Sequence, residues 1–341
     1  MRKIAILAVA LGCATLGNEA PFPDPIQTSG TGPFRRLDLA ESGVPGNPPG
    51  RAILITGATT GGMFAGDHLF YVAAAPLGEP PERAAGLLPD EVDWAQFEAR
   101  AISRTPARAN DLGHELGDVI LEASEAWEGD AVFDPWVVLL DDGRARLYYA
   151  GAEGVGVAEA PSVDGSFSRV AGPIINDVRS PSVVRDPAGG WLMFVETSAG
   201  ISVARSDDGV AFGELTELSL LGPTEDGLPT EVSVRRPGAV TVQTPTGRTV
   251  VRVYFEVVFS DETRAVAIAG SEDGSTFERR PSTVYAEESP GSPAPFVDED
   301  GVTRLYVSVE DEVRGTDLQA RAIVMTVAPA FARFAPEPVE E

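Results

Sequence analysis

Short apolar runs alternate with polar turns along most of this chain; the runs favour Val, Ile, Leu and aromatic residues, and the turns carry Gly, Asp and Pro. That pattern predicts strands, with helix almost absent, because pleated backbone accepts β-branched and aromatic side chains while tight turns need Gly or Asp. The segment DAVFDPWVVLLDDGRARLYYAG, from Asp130 to Gly151, is the clearest case: an apolar strand, an acidic turn, and a second strand ending in two tyrosines. It recurs. DPWVVLLDDGRARLYYAG at 134 is followed by SPSVVRDPAGGWLMFVET at 180, RPGAVTVQTPTGRTVVRVYFE at 236 and SPAPFVDEDGVTRLYVSVE at 292, so that Pro135, Pro181, Pro237 and Pro293 stand 46, 56 and 56 residues apart.

Each copy continues alike, with a small-residue strand and a turn that closes on phenylalanine. GVGVAEAPSVDGSF, GISVARSDDGVAF and AVAIAGSEDGSTF end at Phe167, Phe212 and Phe277, and the looser RAIVMTVAPAF ends at Phe331. Three strands per copy are visible, and the segment from each Phe to the next Pro has room for a fourth. Four-stranded units at a period of about 40–50 residues predict an all-β chain folded as a β-propeller.

The four copies leave Phe34 to Gly129 for the remainder of the propeller. There GDHLFYVAAA matches the aromatic strand and FEARAISRT reads as an outer strand. With RAILITGA as the inner strand these make one enlarged blade, so five blades are expected, with six as the alternative. PLGEPPERAAGLLPDEVDWAQF is then a long loop with a helical turn near Asp90 to Phe97. The propeller domain is placed at residues 34–335, followed by a tail at 336–341.

The alternation of these motifs resembles the five-bladed propellers of the arabinanase, levansucrase and invertase superfamily, which includes glycoside hydrolase families 43 and 32. The resemblance covers the four copies well and the first blade poorly. It implies a glycoside-hydrolase-like propeller in which three acids from different blades line the axial pocket, those that precede a proline lying on the innermost strands. Cleaving a glycosidic bond requires one carboxylic acid to protonate the leaving oxygen and one carboxylate to act as base or nucleophile. The residues before the four repeat prolines are Asp134, Ser180, Arg236 and Ser292. Only Asp134 matches the Asp-Pro motif of the family, so the acid triad is not complete at the expected positions.

The remaining catalytic candidates are Glu196 in FVETS and Glu256 in VYFEVV, just after the aromatic strand positions; Asp67 and Glu231 are further acids that could face the axis. Each reads equally as a solvated or Arg-paired strand-end carboxylate. Period-two alternation puts Trp136 on the same face as Asp134, and an acid beside an indole suits the polar edge and apolar face of a sugar ring. Arg235 and Arg236 are candidates for gripping a carboxylate or sulfate of an acidic glycan, against the alternative that they neutralise neighbouring acids. Ser180 and Ser292 complete the expected substrate-binding set.

Charge narrows the partners. A formal charge of −26 opposes nucleic acid and anionic lipid, since a polyanion repels phosphates at long range. The expected partner is a carbohydrate or small-molecule ligand in the axial pocket of a monomer. The start, MRKIAILAVALGC, has Arg2 and Lys3 before an apolar run from Ile4 to Leu11, too short to span a bilayer, and reads as a signal peptide over residues 1–12. Its end resembles the lipobox of bacterial lipoproteins, with Ala10 where the family usually has Leu, and this implies lipidation of Cys13, the only cysteine. Residues 13–33, rich in Gly, Pro, Thr and Ser, read as a flexible tether spanning roughly 25 Å. The expected location is the bacterial cell envelope, as an outer-membrane lipoprotein held to the membrane only by its lipid.

Other chemistries find little support. The two histidines, His68 and His114, read as a packed strand residue and a loop residue, so a His-dependent triad or a His/Cys metal cluster is not expected. No cofactor is expected; the turns DDG, DEDG and SDDG could hold calcium but lack a full ligand series. The turns SDDGVAF and SEDGSTF also resemble the Asp-box of sialidases, one residue shorter and with no Tyr–Glu nucleophile pair. Three readings follow: a surface glycosidase with Asp134 in its pocket, a non-catalytic surface propeller that binds glycan or protein, and a sialidase-like propeller.

Overall fold

The computed structural model describes residues 35–36, 54–56, 63–65, 68–76, 97–106, 118–222, 229–243, 248–280, 283–286, 290–297, 302–311 and 320–329. Cys13, the signal segment, the tether, residues 77–96 of the long loop, Asp67 and His114 lie outside them.

Strands dominate, and five antiparallel sheets are present among the described residues. After β1 (Arg35–Arg36) and β2 (Leu54–Thr56), the first sheet runs β3 (Met63–Ala65), β4 (His68–Pro76), β5 (Phe97–Pro106), β6 (Asp118–Glu122). The second runs β7 (Phe133–Leu139), β8 (Ala145–Ala150), β9 (Gly154–Ala160), β10 (Ser168–Asn176). The third runs β11 (Arg179–Arg185), β12 (Trp191–Thr197), β13 (Gly200–Ser206), β14 (Thr216–Glu217). The fourth runs β15 (Glu231–Gln243), β16 (Thr249–Phe259), β17 (Arg264–Ser271), β18 (Glu278–Arg279). The fifth contains β19 (Gly291–Val297), β20 (Val302–Asp311) and β21 (Ala320–Pro329), with both β1 and β2 on the outer side of β21. The first strands of the five sheets touch in a ring: β3 meets β7, β7 meets β11, β11 meets β15, β15 meets β19, and β19 returns to β3. This is a β-propeller.

RAILITGA, expected as the inner strand of the first sheet, lies elsewhere. Leu54–Thr56 pairs antiparallel with Ala320–Ala322 of the last sheet, and the short β3 is the inner strand of the first. An apolar run specifies that a strand forms but not which strand it joins. Pairing the start of the chain with its end gives β21 a partner on both sides, which covers an edge and ties the ring.

The core lies between neighbouring sheets, so the second strands of the middle sheets are buried on both faces and read as continuous apolar runs. All six residues of β8 are buried, and in β16 burial is unbroken from Val250 to Val257. One cluster joins Ala65, Ile102 and Leu121 of the first sheet to Val137 and Leu147 of the second; another joins Phe194 and Ile201 of the third to Val253 and Phe255 of the fourth. The outer β10 alternates exposed and half-buried residues instead.

The Phe-closing turns clip adjacent sheets together. Arg104 donates to the carbonyls of Val163 and Gly165, Arg146 to that of Asp208, and Arg205 to that of Asp273, each reaching from one sheet to the turn of the next. Inside these turns, Asp208 Oδ1 accepts the Val210 and Ala211 amides at 2.8 and 2.9 Å, and Asp273 Oδ1 accepts those of Ser275 and Thr276 at 2.7 and 2.9 Å. The acids that resemble an Asp-box therefore shape the turn, while its carbonyls receive the arginine of the preceding sheet.

Candidate functional site

Each of β7, β11, β15 and β19 carries an X-Pro pair, and the residue before proline is left-handed in all four: φ is 49° at Asp134, 51° at Ser180, 50° at Arg236 and 47° at Ser292. A residue in that position normally prefers extended backbone, and a non-glycine left-handed residue costs on the order of 1–3 kcal/mol. The strand pairing slips at each pair, between Phe133 and Trp136, Arg179 and Ser182, Arg235 and Gly238, and Gly291 and Ala294. These bulges interrupt the two-residue alternation from which a common face for Asp134 and Trp136 was expected. Both nevertheless line one pocket, with Ser180, Arg236, Ser292, Ala294 and all four repeat prolines, around an open space of about 350 Å³.

Carboxylates hold the strained positions by reaching from one sheet to the next. Asp134 Oδ2 accepts the Ser180 amide at 3.1 Å and its hydroxyl at 2.9 Å. Glu196 Oε2, on β12, accepts the Arg236 amide at 3.1 Å and the Ser180 hydroxyl at 3.5 Å. Hydrogen bonds to charged groups are worth about 1.5–3 kcal/mol, enough to offset the backbone strain at Ser180 and Arg236. Neighbouring inner strands are stitched further by Trp136 Nε1 donating to the Val183 carbonyl at 2.8 Å and by the Ser182 hydroxyl accepting the Ala239 amide at 2.7 Å.

The three candidate catalytic acids occupy different environments. Desolvation pushes the Asp134 carboxyl up to about 6; Arg236 and the Ser180 hydrogen bonds pull the other way, and Glu196 adds to the rise. Glu196 sits opposite Arg179 in the β11–β12 ladder, and Glu256 sits opposite Arg235 at the same place in the β15–β16 ladder. In the second and fifth sheets that place pairs Phe133 with Ala150 and Gly291 with Ser308. Glu256 is fully buried beneath three guanidiniums: Arg235 at 2.6 Å, Arg236 at 3.2 Å and Arg264 at 3.6 Å. The structure thus brings Asp134, Ser180, Arg236, Ser292 and Trp136 to the pocket, puts Glu196 beside it through Ser180, and commits Glu256 to arginines.

Trp136 is only 5% exposed and its indole N–H is spent on Val183, so it packs with Tyr148, Val183 and Trp191 and offers little face to a ring. Glu231 lies apart from the pocket lining, in a bidentate pair with Arg279 at 2.5 Å, and also accepts the Gly222 amide. Arg264 was not anticipated. Its position at the start of β17, across the hairpin from FEVV, was the signal available: antiparallel pairing brings it within reach of Glu256.

No protein-family profile matches the chain, and no curated protein does. Solved structures do. An endo-1,4-beta-xylanase from Bacteroides thetaiotaomicron superposes with a TM-score of 0.54 at 16% identity, over 82% of this chain and 97% of that one. A β-xylosidase, RS223, gives 0.54 at 14% identity over 86% and 94%, and the Cellvibrio cellulosa alpha-L-arabinanase gives 0.51 at 11% over 80% and 91%. A thermostable family-43 glycoside hydrolase is similar too, at 0.52 and 13% identity over 80% and 90%. At these identities the likeness establishes the fold: the chain is a β-propeller of the kind found in family-43 glycoside hydrolases.

Proposed function

We propose that this protein is a secreted, lipid-anchored, five-bladed propeller of glycoside-hydrolase type that binds polysaccharide in its axial pocket without cleaving it. The anchor in this reading is Cys13, followed by the tether at 13–33, and the location is the bacterial cell envelope. The observation that carries the binding reading is the distribution of carboxylates. Among the described residues lining the pocket only Asp134 is an acid, Glu196 holds the Arg236 amide, and Glu256 is sealed under arginines. Glycoside hydrolysis needs two carboxylates flanking the bond, one giving a proton and one acting as base or nucleophile. The polar residues of the lining are Asp134, Ser180, Arg236 and Ser292, residue types that hydrogen-bond sugar hydroxyls.

One observation favours a hydrolytic reading instead: Asp134, titrating near 6, shares the Ser180 hydroxyl with Glu196. Titrating the full chain with arabinan and xylan oligosaccharides, with product analysis of the same mixtures, separates the two. On the binding reading the ligand saturates the protein, no shorter products appear, and Asp134→Asn weakens affinity by one or two hydrogen bonds, each about 0.5–1.5 kcal/mol. Release of shorter saccharides that drops at least about a hundredfold in Asp134→Asn, or roughly 2.7 kcal/mol, makes the protein a hydrolase.

A further inference from the structure

The two oxygens of Asp134 are unequally served. Oδ2 accepts the Ser180 amide and hydroxyl, whereas Oδ1 accepts no hydrogen bond among the described residues, and the residue is half-buried at the wall of the axial pocket. The Ser180 hydroxyl in turn stands between two carboxylates. It has one hydrogen to give, to Asp134 Oδ2 at 2.9 Å or to Glu196 Oε2 at 3.5 Å. Each acceptor is pinned by a backbone amide at 3.1 Å, Asp134 by that of Ser180 and Glu196 by that of Arg236, so the hydroxyl can turn from one to the other without moving either strand.

We propose that the axial pocket captures its saccharide through a ligand hydroxyl that donates to the ionised Asp134 Oδ1, and releases it on acidification, when a proton enters that oxygen and the Ser180 hydroxyl turns to Glu196. The proposal rests on the saccharide-binding reading of the pocket. With Asp134 ionised, the ligand hydroxyl replaces the water that Oδ1 loses and meets a charged acceptor, a bond about twice as strong as a neutral one. With Asp134 protonated, the same hydroxyl meets only a neutral partner. Burial has already brought this carboxyl up to about 6, so the exchange falls in mildly acidic surroundings. The charged groups that act on Asp134 are Arg236 from β15 and Glu196 from β12. On the strands packed against β7, Arg146, Tyr148 and Tyr149 of β8 are engaged by Glu159, the Gly209 carbonyl and Glu128. Arg179 of β11 stands opposite Glu196, Arg185 of β11 pairs with Asp141, and Arg104 of β5 reaches the carbonyls of Val163 and Gly165. Strand β3 carries no titratable residue; β4 and β5 also carry His68, Tyr71, Glu98 and Arg100. Histidine titrates in the same range as this exchange, so His68 is the competing source of a pH effect.

The test is calorimetric titration of the full chain with arabinan and xylan oligosaccharides from about pH 5 to about pH 7, in pairs of buffers with different ionisation heats. An oligosaccharide that binds should gain about fivefold in affinity over that interval, the difference between a charge-assisted and a neutral hydrogen bond, and should release most of one proton at the acid end. Asp134→Asn should bind with an affinity independent of pH and release no proton. Ser180→Ala should move the midpoint to higher pH, because the hydroxyl favours the anion, and Glu196→Gln should move it lower, because the Glu196 charge opposes it. These opposite displacements carry the test if Asp134→Asn does not fold. An affinity that is flat or falls as pH rises, midpoints unmoved in both variants, or a rise that survives Asp134→Asn and so belongs to a group such as His68, overturns the inference and leaves saccharide binding standing. Absence of binding by either oligosaccharide at every pH removes both.

Discussion

Glu128 and Asp134 are six residues apart in sequence, flank the entry to β7, and have opposite electrostatic fates. Glu128, in the 3-10 turn Ala126–Glu128, is fully buried, and burial alone raises its carboxyl. Five donors outweigh that: Oε1 accepts Arg169 Nε and the Tyr149 hydroxyl, both at 2.7 Å, and Oε2 accepts Arg169 Nη2 at 2.8 Å and the Ser124 and Glu125 amides at 2.7 and 3.0 Å. The result is a carboxyl held near 2. Asp134 opens on the pocket, receives two donors from Ser180, and is pushed to about 6. A buried acid with every lone pair used is a fastener; one left under-satisfied at a cavity is where a ligand's hydroxyl has something to gain.

The surroundings of Glu128 agree with a fastening role. Its neighbour Trp127 fills a slot between glycines, and a Cβ on Gly156 or Gly172 would stand 2.4 or 2.3 Å from indole atoms. Trp127 also packs against Tyr149, whose hydroxyl donates to Glu128. The largest effect is therefore expected here. Glu128→Gln should destabilise the protein by about 3–5 kcal/mol in urea unfolding at pH 7, the usual loss on breaking a buried ion pair. Asp134→Asn, in the same assay, should change stability by less than about 1 kcal/mol, because it removes a charge that the site supports poorly. Equal losses in the two variants would abolish the distinction.

Acid titration sharpens the comparison through opposite signs. The Glu128 carboxyl is depressed from 4.5 to about 2, so its stabilisation is complete above pH 4.5 and is lost as pH falls toward 2, about 3 kcal/mol in all. The Asp134 carboxyl is raised from 3.8 to about 6, so the folded state holds its proton longer than the unfolded chain does. Stability from this group is full below pH 3.8, declines as pH rises to about 6, and is flat above, a change of about 2 kcal/mol after allowing for solvent at the pocket. Chemical unfolding measured from pH 3 to 7 should lose the decline between about 4 and 6 in Asp134→Asn, and lose the fall below 4.5 in Glu128→Gln. A variant that abolishes the other one's transition would refute the assignment.

How much of this was legible in the sequence depends on whether the partner was local. The four X-Pro pairs could be read because each inner strand and its hairpin mate are neighbours in the chain, and the pattern repeats. The propeller followed from that. The role of RAILITGA could not, since its mate β21 lies at the other end of the chain. Nor could the fates of the acids: Asp134 is answered by Ser180 and Glu196 by Arg236, from the next sheet in each case, at sequence separations of 46 and 40. Glu128 was not singled out in the sequence; its spacing three residues after Glu125, whose amide donates to its carboxylate, was the available signal. The left-handed backbone before each proline was also hidden, because Asp, Ser and Arg carry no glycine-like mark of positive φ.

One hydrogen bond in the pocket can be isolated, with an effect well below that of Glu128→Gln. Ser180→Ala deletes the hydroxyl that donates to Asp134 Oδ2 at 2.9 Å and touches Glu196 Oε2 at 3.5 Å, while the Ser180 amide keeps its 3.1 Å bond to Asp134. The left-handed backbone at Ser180 suits alanine no better and no worse, so strain stays nearly constant and the change reports on the hydroxyl. Because the hydroxyl favours the ionised carboxyl, its loss should raise the Asp134 titration above about 6 and cost about 1 kcal/mol of stability at pH 7, with the cost shrinking as pH falls below that value. Tyr149→Phe makes the parallel cut at Glu128, where the lost donor also favours the anion, and should cost more, about 1.5–3 kcal/mol, since that carboxylate stays charged and enclosed. Carbon-detected NMR titration of the Asp134 carboxyl in the parent and in Ser180→Ala reads the first shift directly. An Asp134 titration that stays put or falls would mean the serine hydroxyl serves Glu196 in solution, and the pocket acid would then be set by desolvation, Arg236, Glu196 and the Ser180 amide.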